Sequence, residues 1–151
     1  MRYYTHIITS LAGVTALAPY LNLHISVPLV SGVLIGSVLP DIDESRSYIG
    51  KRIPFFSRPV NLLFGHRGIT HSAIACIAAG LMAFTLQHGF TTGLFLGYLF
   101  HVAGDLFSKA GVPLFAPLTN KRTTIPIYRT GKFSELLILA AAAFYLYKEW
   151  F

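Results

Sequence analysis

Histidine and aspartate recur together at the ends of apolar runs. The clusters are Pro40-Asp41-Ile42-Asp43, His66-Arg67-Gly68-Ile69-Thr70-His71-Ser72 and His101-Val102-Ala103-Gly104-Asp105, and they hold all three aspartates and three of the six histidines. Carboxylates beside imidazoles at the edge of apolar sequence point to a bound cation. His101 and Asp105 are four residues apart, so they project from one helix face. An aspartate costs about 3 kcal/mol near the centre of a membrane helix and needs a partner there. A direct His-Asp hydrogen bond is the simpler partner. Asp41 and Asp43 follow an apolar run. If that run is helical, each carboxylate at its C-terminus is unfavourable by about 0.3 to 1 kcal/mol. A metal ion reverses that penalty, and so does Arg46. Gly68 permits a bend that aims His66 and His71 at one centre. His6 and Glu135 each open a further apolar stretch, although a glutamate in a first helical turn is also favoured by the helix dipole.

The expected donors are therefore His6, Asp41, Asp43, His66, His71, His101 and Asp105, with Glu135 as an eighth. They are nitrogen and oxygen ligands without thiolate, which suits zinc, or manganese or iron, rather than calcium. The set exceeds one tetrahedral shell, so one to two ions are expected. Arg67 sits among these histidines and cannot itself ligate, because its guanidinium stays protonated. Cations gathered at one spot call for an anionic substrate, and Arg67 is suited to pair with its phosphate. Pairing with Asp41 or Asp43 is the structural alternative. Asp43 or Asp41, where not a ligand, serves as general base. His24 and His88 fall in short turns at the opposite end and are read as non-functional.

These residues need a scaffold. Charged residues are 12% and apolar residues 54% of the 151, against about 25% charged in soluble domains. That composition predicts an all-α, polytopic helical membrane protein in one domain, residues 1–151. The apolar stretches run from Ile7 to Leu23, Ile25 to Leu39, Ser72 to Leu86, Thr91 to Phe107 and Ser134 to Tyr147. Each is near or below the ~20 residues that cross a bilayer. Pro19 and Pro28 interrupt the first two, so about four to five transmembrane or re-entrant helices are expected. Gly32 and Gly36 match Gly93 and Gly97 in spacing, and these two small-residue faces are candidates to meet. Ser72 or Thr70 is suited to cap the helix that follows.

Eleven of the twelve Lys and Arg residues lie at the N-terminus, between Asp41 and His71, or between Ser108 and Phe133. With five crossings all three regions share one side. Positive residues favour the cytoplasm, which puts the N-terminus inside and the C-terminus outside an inner, cytoplasmic membrane. The +6 net charge suits anionic lipid headgroups. It comes with no nucleic-acid motif, so no nucleic-acid partner is expected. Tyr48 to Phe64 and Val112 to Leu118 mix apolar residues with basic ones or prolines, as interfacial segments do; loops covering a core would look the same. Ala16-Leu17-Ala18 has the form of a signal-peptide cleavage site, but the run before it is short and contains Thr9, Ser10, Gly13 and Thr15. The single Cys76 excludes an internal disulfide.

Taken in order, Thr5-His6, Gly36 to Asp43, His66 to Ser72, Gly97 through His101 to Asp105, and Gly111 to Phe115 resemble the YdjM-like family of LexA-regulated, membrane-bound, metal-dependent hydrolases. The resemblance covers most of the chain and implies hydrolysis. A looser similarity links His101 and Asp105 to the metal-binding helix pair of zinc-dependent phospholipase C and P1-type nucleases. Their N-terminal tryptophan ligand is missing here, as is the arginine-rich Ser-Gly-His signature of phosphohistidine lipid phosphatases. The expected function is thus an inner-membrane metal-dependent hydrolase acting on a phosphoester, a lipid headgroup among the candidates. The alternative is a metal-binding transporter or sensor without chemistry, and a third reading is a polar cluster that only fixes helix packing.

Overall fold

The computed structural model describes residues 1–44, 47, 50–52, 55 and 68–151. Among them are five α-helices: α1 (Tyr3–Leu17), α2 (Val27–Gly36), α3 (Ala73–Leu86), α4 (Gly89–Leu106) and α5 (Phe133–Trp150). Short 3-10 turns at Leu39–Asp43 and Ile69–His71 carry the chain into and out of the long basic segment. Strand pairing among the described residues is limited to isolated bridges, Ser108 with Tyr128 and Val112 with Thr123. The all-α expectation holds.

Local chemistry sets the helix ends. Ser26 caps α2 by accepting from the Leu29 N–H, and Pro28 occupies a first-turn position, where its missing N–H costs nothing. Ser72 caps α3 by accepting from the Ala75 N–H, as expected of that motif. His88 caps α4 through Nδ1, which accepts from the Phe90 N–H at 3.2 Å. That gives His88 a structural role far from the other histidines.

The helices run up and down, so α1, α3 and α5 begin at the end where α2 and α4 finish. The parallel pair α2 and α4 forms the centre. A Cβ on Gly93 would stand 2.1 Å from the Leu29 carbonyl oxygen, and one on Gly36 2.2 Å from that of Leu94. Only glycine lets the two backbones meet so closely, and the anticipated pairing of these faces is present. Val14, Leu29, Val33 and Leu96 pack beside this seam. A second cluster, Cys76, Tyr98, Val102 and Val112, packs α3 and the loop after α4 onto α4.

The expectation of membrane crossings is not carried by the helices. None among the described residues is long and apolar enough to cross a membrane. They have 10 to 18 residues, or about 15 to 27 Å at 1.5 Å per residue, against a hydrocarbon core of about 30 Å. Apolar sequence continues to Leu23, but α1 ends at Leu17 and the chain turns through 18–22. The segment after α4 is both loop cover and surface. Val112 is buried while Leu118 is 93% exposed, and the Leu114 carbonyl accepts from Ala73 N–H at the start of α3. Most of the expected interfacial segment from Tyr48 to Phe64 lies outside the described residues.

Candidate metal centre

Two helix ends and two turns converge on one buried point. His6 comes from the first turns of α1, and His101 and Asp105 from the last turns of α4. Asp41 lies on the turn after α2 and His71 on the turn before α3. Two overlapping groups place their ligand atoms within 4.8 Å of one another: His6, His101 and Asp105, and Asp41, His71 and His101.

Backbone and hydroxyl partners set the imidazole tautomers. The Nδ1 of His101 lies 2.7 Å from the Ser37 carbonyl oxygen. A carbonyl only accepts, so this nitrogen carries the proton and Nε2 presents its lone pair. On His71, Nδ1 is 3.1 Å from the Thr70 hydroxyl and 3.4 Å from Asp43 Oδ2. The Thr70 hydroxyl donates to Asp43, so it accepts from His71 Nδ1–H. Tyr98 pins this turn by donating its hydroxyl to the Thr70 carbonyl. The Nε2 atoms of the two histidines then face each other at 3.3 Å.

Two nitrogen lone pairs at that separation need a cation between them. Asp41 Oδ1 is 3.6 Å from His71 Nε2 and 3.7 Å from His101 Nε2, and Asp105 Oδ2 is 3.9 Å from His71 Nε2. A proton on His71 answers the need. Burial opposes that charge, but Asp41 and Asp43 outweigh burial and raise its pKa. Burial likewise opposes ionisation of Asp41, yet the hydrogen bond to His71 and the surrounding imidazoles hold it at about 2. A divalent ion answers the same need with more donors.

His6 supports that fit. Its ring stacks on His101 at 3.7 Å with 13° between planes. It is 1% exposed; its Nε2 lies 3.4 Å from Asp105 Oδ1, and among the described residues nothing hydrogen-bonds its Nδ1. Buried imidazole nitrogens are ordinarily satisfied, so this one has unused ligating capacity. The donor chemistry suits zinc, manganese or iron. His101 has one free lone pair, however, so the two groups share a ligand and do not add up to two independent sites. The amino group of Met1 lies 2.7 Å from Asp105 Oδ1 and contributes positive charge at the edge of the cluster.

Five of the expected ligands are thus together: His6, Asp41, His71, His101 and Asp105. Asp43 belongs to neither group and stands behind His71, where it orients the ring. Glu135 is also outside both groups; its oxygens accept from the backbone N–H of Arg2 at 2.6 Å and of Gly131 at 2.5 Å, tying the start of α5 to the N-terminus. His66 and Arg67, with the alternative cation Arg46, lie outside the described residues. Sequence reasoning missed Ser37, whose carbonyl left no signal, and assigned Thr70 only a capping role.

A family model described as YdjM inner membrane protein matches residues 1–150. This chain belongs to that family. The uncharacterized protein YvsG of Bacillus subtilis (strain 168) is 34% identical over 150 residues, covering 95% of this chain and 92% of the relative. Inner membrane protein YdjM of Escherichia coli (strain K12) is 35% identical over 130 residues, or 81% of this chain, and the chain spans 65% of that protein's length. The protein of the same name from Shigella flexneri matches equally. No solved structure matches significantly, and the looser similarity to phospholipase C and P1-type nucleases has no counterpart in these comparisons.

Proposed function

We propose that this chain is an inner-membrane, metal-dependent hydrolase acting on a phosphoester. The observation that carries the reading is the pair of Nε2 lone pairs on His71 and His101, ringed by Asp41, Asp105 and His6. A divalent ion held there supplies Lewis-acid activation of water and of a phosphoryl oxygen. Ser37 and Asp43 orient the imidazoles, as outer partners do in metal sites.

Chemistry is favoured over a purely structural ion because the cluster has an open side. Structural metal sites are closed, whereas catalytic ones keep a position accessible. Asp41 is 21% exposed in its side chain and borders a cavity of about 380 Å³ whose lining includes Tyr3, Tyr4, Glu44 and Ser47. A transport path is disfavoured by the one-ended arrangement: among the described residues the far end offers His24, His88 and Glu149, all exposed and none gathered into a donor group. Arg67 is assigned to the phosphate and not to the metal.

Membrane residence is supported by the family and by an outward apolar skin. On α3, Ile74, Ile77, Leu81 and Phe84 lie on one face and are 51 to 74% exposed. Contiguous apolar surface of this kind is uncommon on soluble monomers. We place the metal-bearing end, where Arg2 and the basic segment 108–132 lie, at the cytoplasmic leaflet, in a multi-pass arrangement with local bilayer thinning matching the short helices.

The test is elemental analysis of detergent-purified protein, followed by phosphoester hydrolysis before and after chelation. Metal-dependent turnover that Arg67→Ala lowers more than it lowers metal content is the expected result. Bound metal without turnover on soluble or lipid phosphoesters would favour the transporter or sensor reading, and absence of metal would remove both.

A further inference from the structure

Arg2 and Tyr4 form a wall shared by two cavities. One is the cavity that reaches Asp41. The other, about 350 Å³, lies between the beginnings of α1 and α5 and is lined by Lys132, Phe133, Leu136 and Leu139 as well as by Arg2 and Tyr4. This second cavity contains none of the clustered metal donors, so the hydrolytic site does not account for it.

Its lining is divided by chemistry. The polar side carries two cations, Arg2 and Lys132, against the carboxylate of Glu135, whose two oxygens already accept backbone N–H groups. The net charge there is positive. The other side is apolar and continues onto the outer face of α5, where Phe133 is 71% and Leu136 56% exposed. A free phosphate would satisfy the cations but leave the apolar floor in water. A neutral lipid would cover the floor but leave the cations without a counter-charge. An anionic amphiphile satisfies both.

We propose that this cavity binds one anionic phospholipid, with its phosphate against Arg2 and Lys132 and an acyl chain along Phe133, Leu136 and Leu139. The shared wall sets the lipid headgroup beside the cavity that leads to Asp41. In naming anionic lipids as the substrate class, the proposal rests on the hydrolase reading; the binding itself does not.

The experiment is native mass spectrometry of the full chain in detergent, treated with chelator, against phosphatidylglycerol, phosphatidylcholine and glycerol phosphate. The expected result is one retained phosphatidylglycerol, at least tenfold preference over phosphatidylcholine, and no comparable retention of glycerol phosphate. The double variant Arg2→Gln, Lys132→Gln should weaken phosphatidylglycerol at least tenfold while leaving phosphatidylcholine unchanged. Lys132→Glu alters one exposed side chain and should show the same direction if the double variant fails to fold; Lys132→Arg should restore binding. Equal retention of the two lipids, glycerol phosphate binding as tightly as phosphatidylglycerol, or wild-type retention by the charge variants would each overturn the proposal. Because the readout needs neither metal nor turnover, lipid retained without metal-dependent hydrolysis would sink the hydrolase reading alone. Metal-dependent hydrolysis of soluble phosphoesters by a chain that does not discriminate between lipids would sink the lipid site alone.

Discussion

The Nε2 atoms of His71 and His101 face each other at 3.3 Å, each imidazole turned that way by a partner on its other nitrogen. Ser37 holds one ring and the Thr70–Asp43 pair holds the other. His101 belongs to both candidate ligand groups and is therefore the residue whose loss matters most.

Purified protein should carry close to one transition-metal ion per chain, and His101→Ala should carry close to none. His88→Ala should keep the wild-type content, because His88 only caps α4. Inductively coupled plasma mass spectrometry on the three proteins checks this. Equal metal in His101→Ala and wild type would dismantle the centre as described.

Thr70→Val removes the hydroxyl that joins Asp43 to His71 while keeping the side-chain shape. Loss of such an outer partner costs typically 10- to 100-fold in metal affinity, and that range is expected here. Thr70→Ser should restore most of it. Competition with a fluorescent zinc chelator gives the measurement, and unchanged affinity in Thr70→Val would mean that His71 is oriented by something else.

Gly97→Ala should be far more damaging than Gly80→Ala. Its Cβ would lie 2.4 Å from the Val33 carbonyl oxygen and 2.8 Å from Ser37 N, both backbone atoms, whereas at Gly80 the nearest atoms, at 3.1 Å, belong to the Phe95 ring. Overpacking of this kind costs about 1 to 3 kcal/mol. Separation at residue 97 should also move the Ser37 carbonyl off His101, so metal content should fall along with the melting temperature in detergent. Equal melting temperatures for the two variants would contradict the close packing of α2 and α4.

Reporter fusions at the N-terminus and after Lys121 should report the cytoplasm, and a fusion at Phe151 the opposite side. Arg2 and the segment 108–132 lie at the metal-bearing end of the bundle, while α5 runs away from it. Finding Phe151 on the same side as Lys121 would mean that α5 lies along the membrane and does not cross it.

Much of the site could be read directly from residue types and spacing. Small residues at matched intervals announced the α2–α4 contact, because a backbone approach leaves a repeat in the chain. The His-x3-Asp spacing on α4 put both groups on one face, since helix geometry alone decides that. Periodicity and basic-residue placement gathered the donors at one end. Other features depended on atoms that sequence does not mark. Asp41 and Asp43 look equivalent as written, but the 3-10 turn sends one to the Nε2 side of His71 and the other to its Nδ1 side. Glu135 has a ligand's chemistry, yet two backbone N–H groups claim it. Hydropathy also counted turn residues as helix, because apolar character persists past the point where α1 stops. The sequence by itself determined the helical class, the glycine seam and the shared face of His101 and Asp105, all of which follow from local spacing. Tertiary structure alone decided which nitrogens point inward, because that choice rests on carbonyl and hydroxyl partners brought from distant parts of the chain.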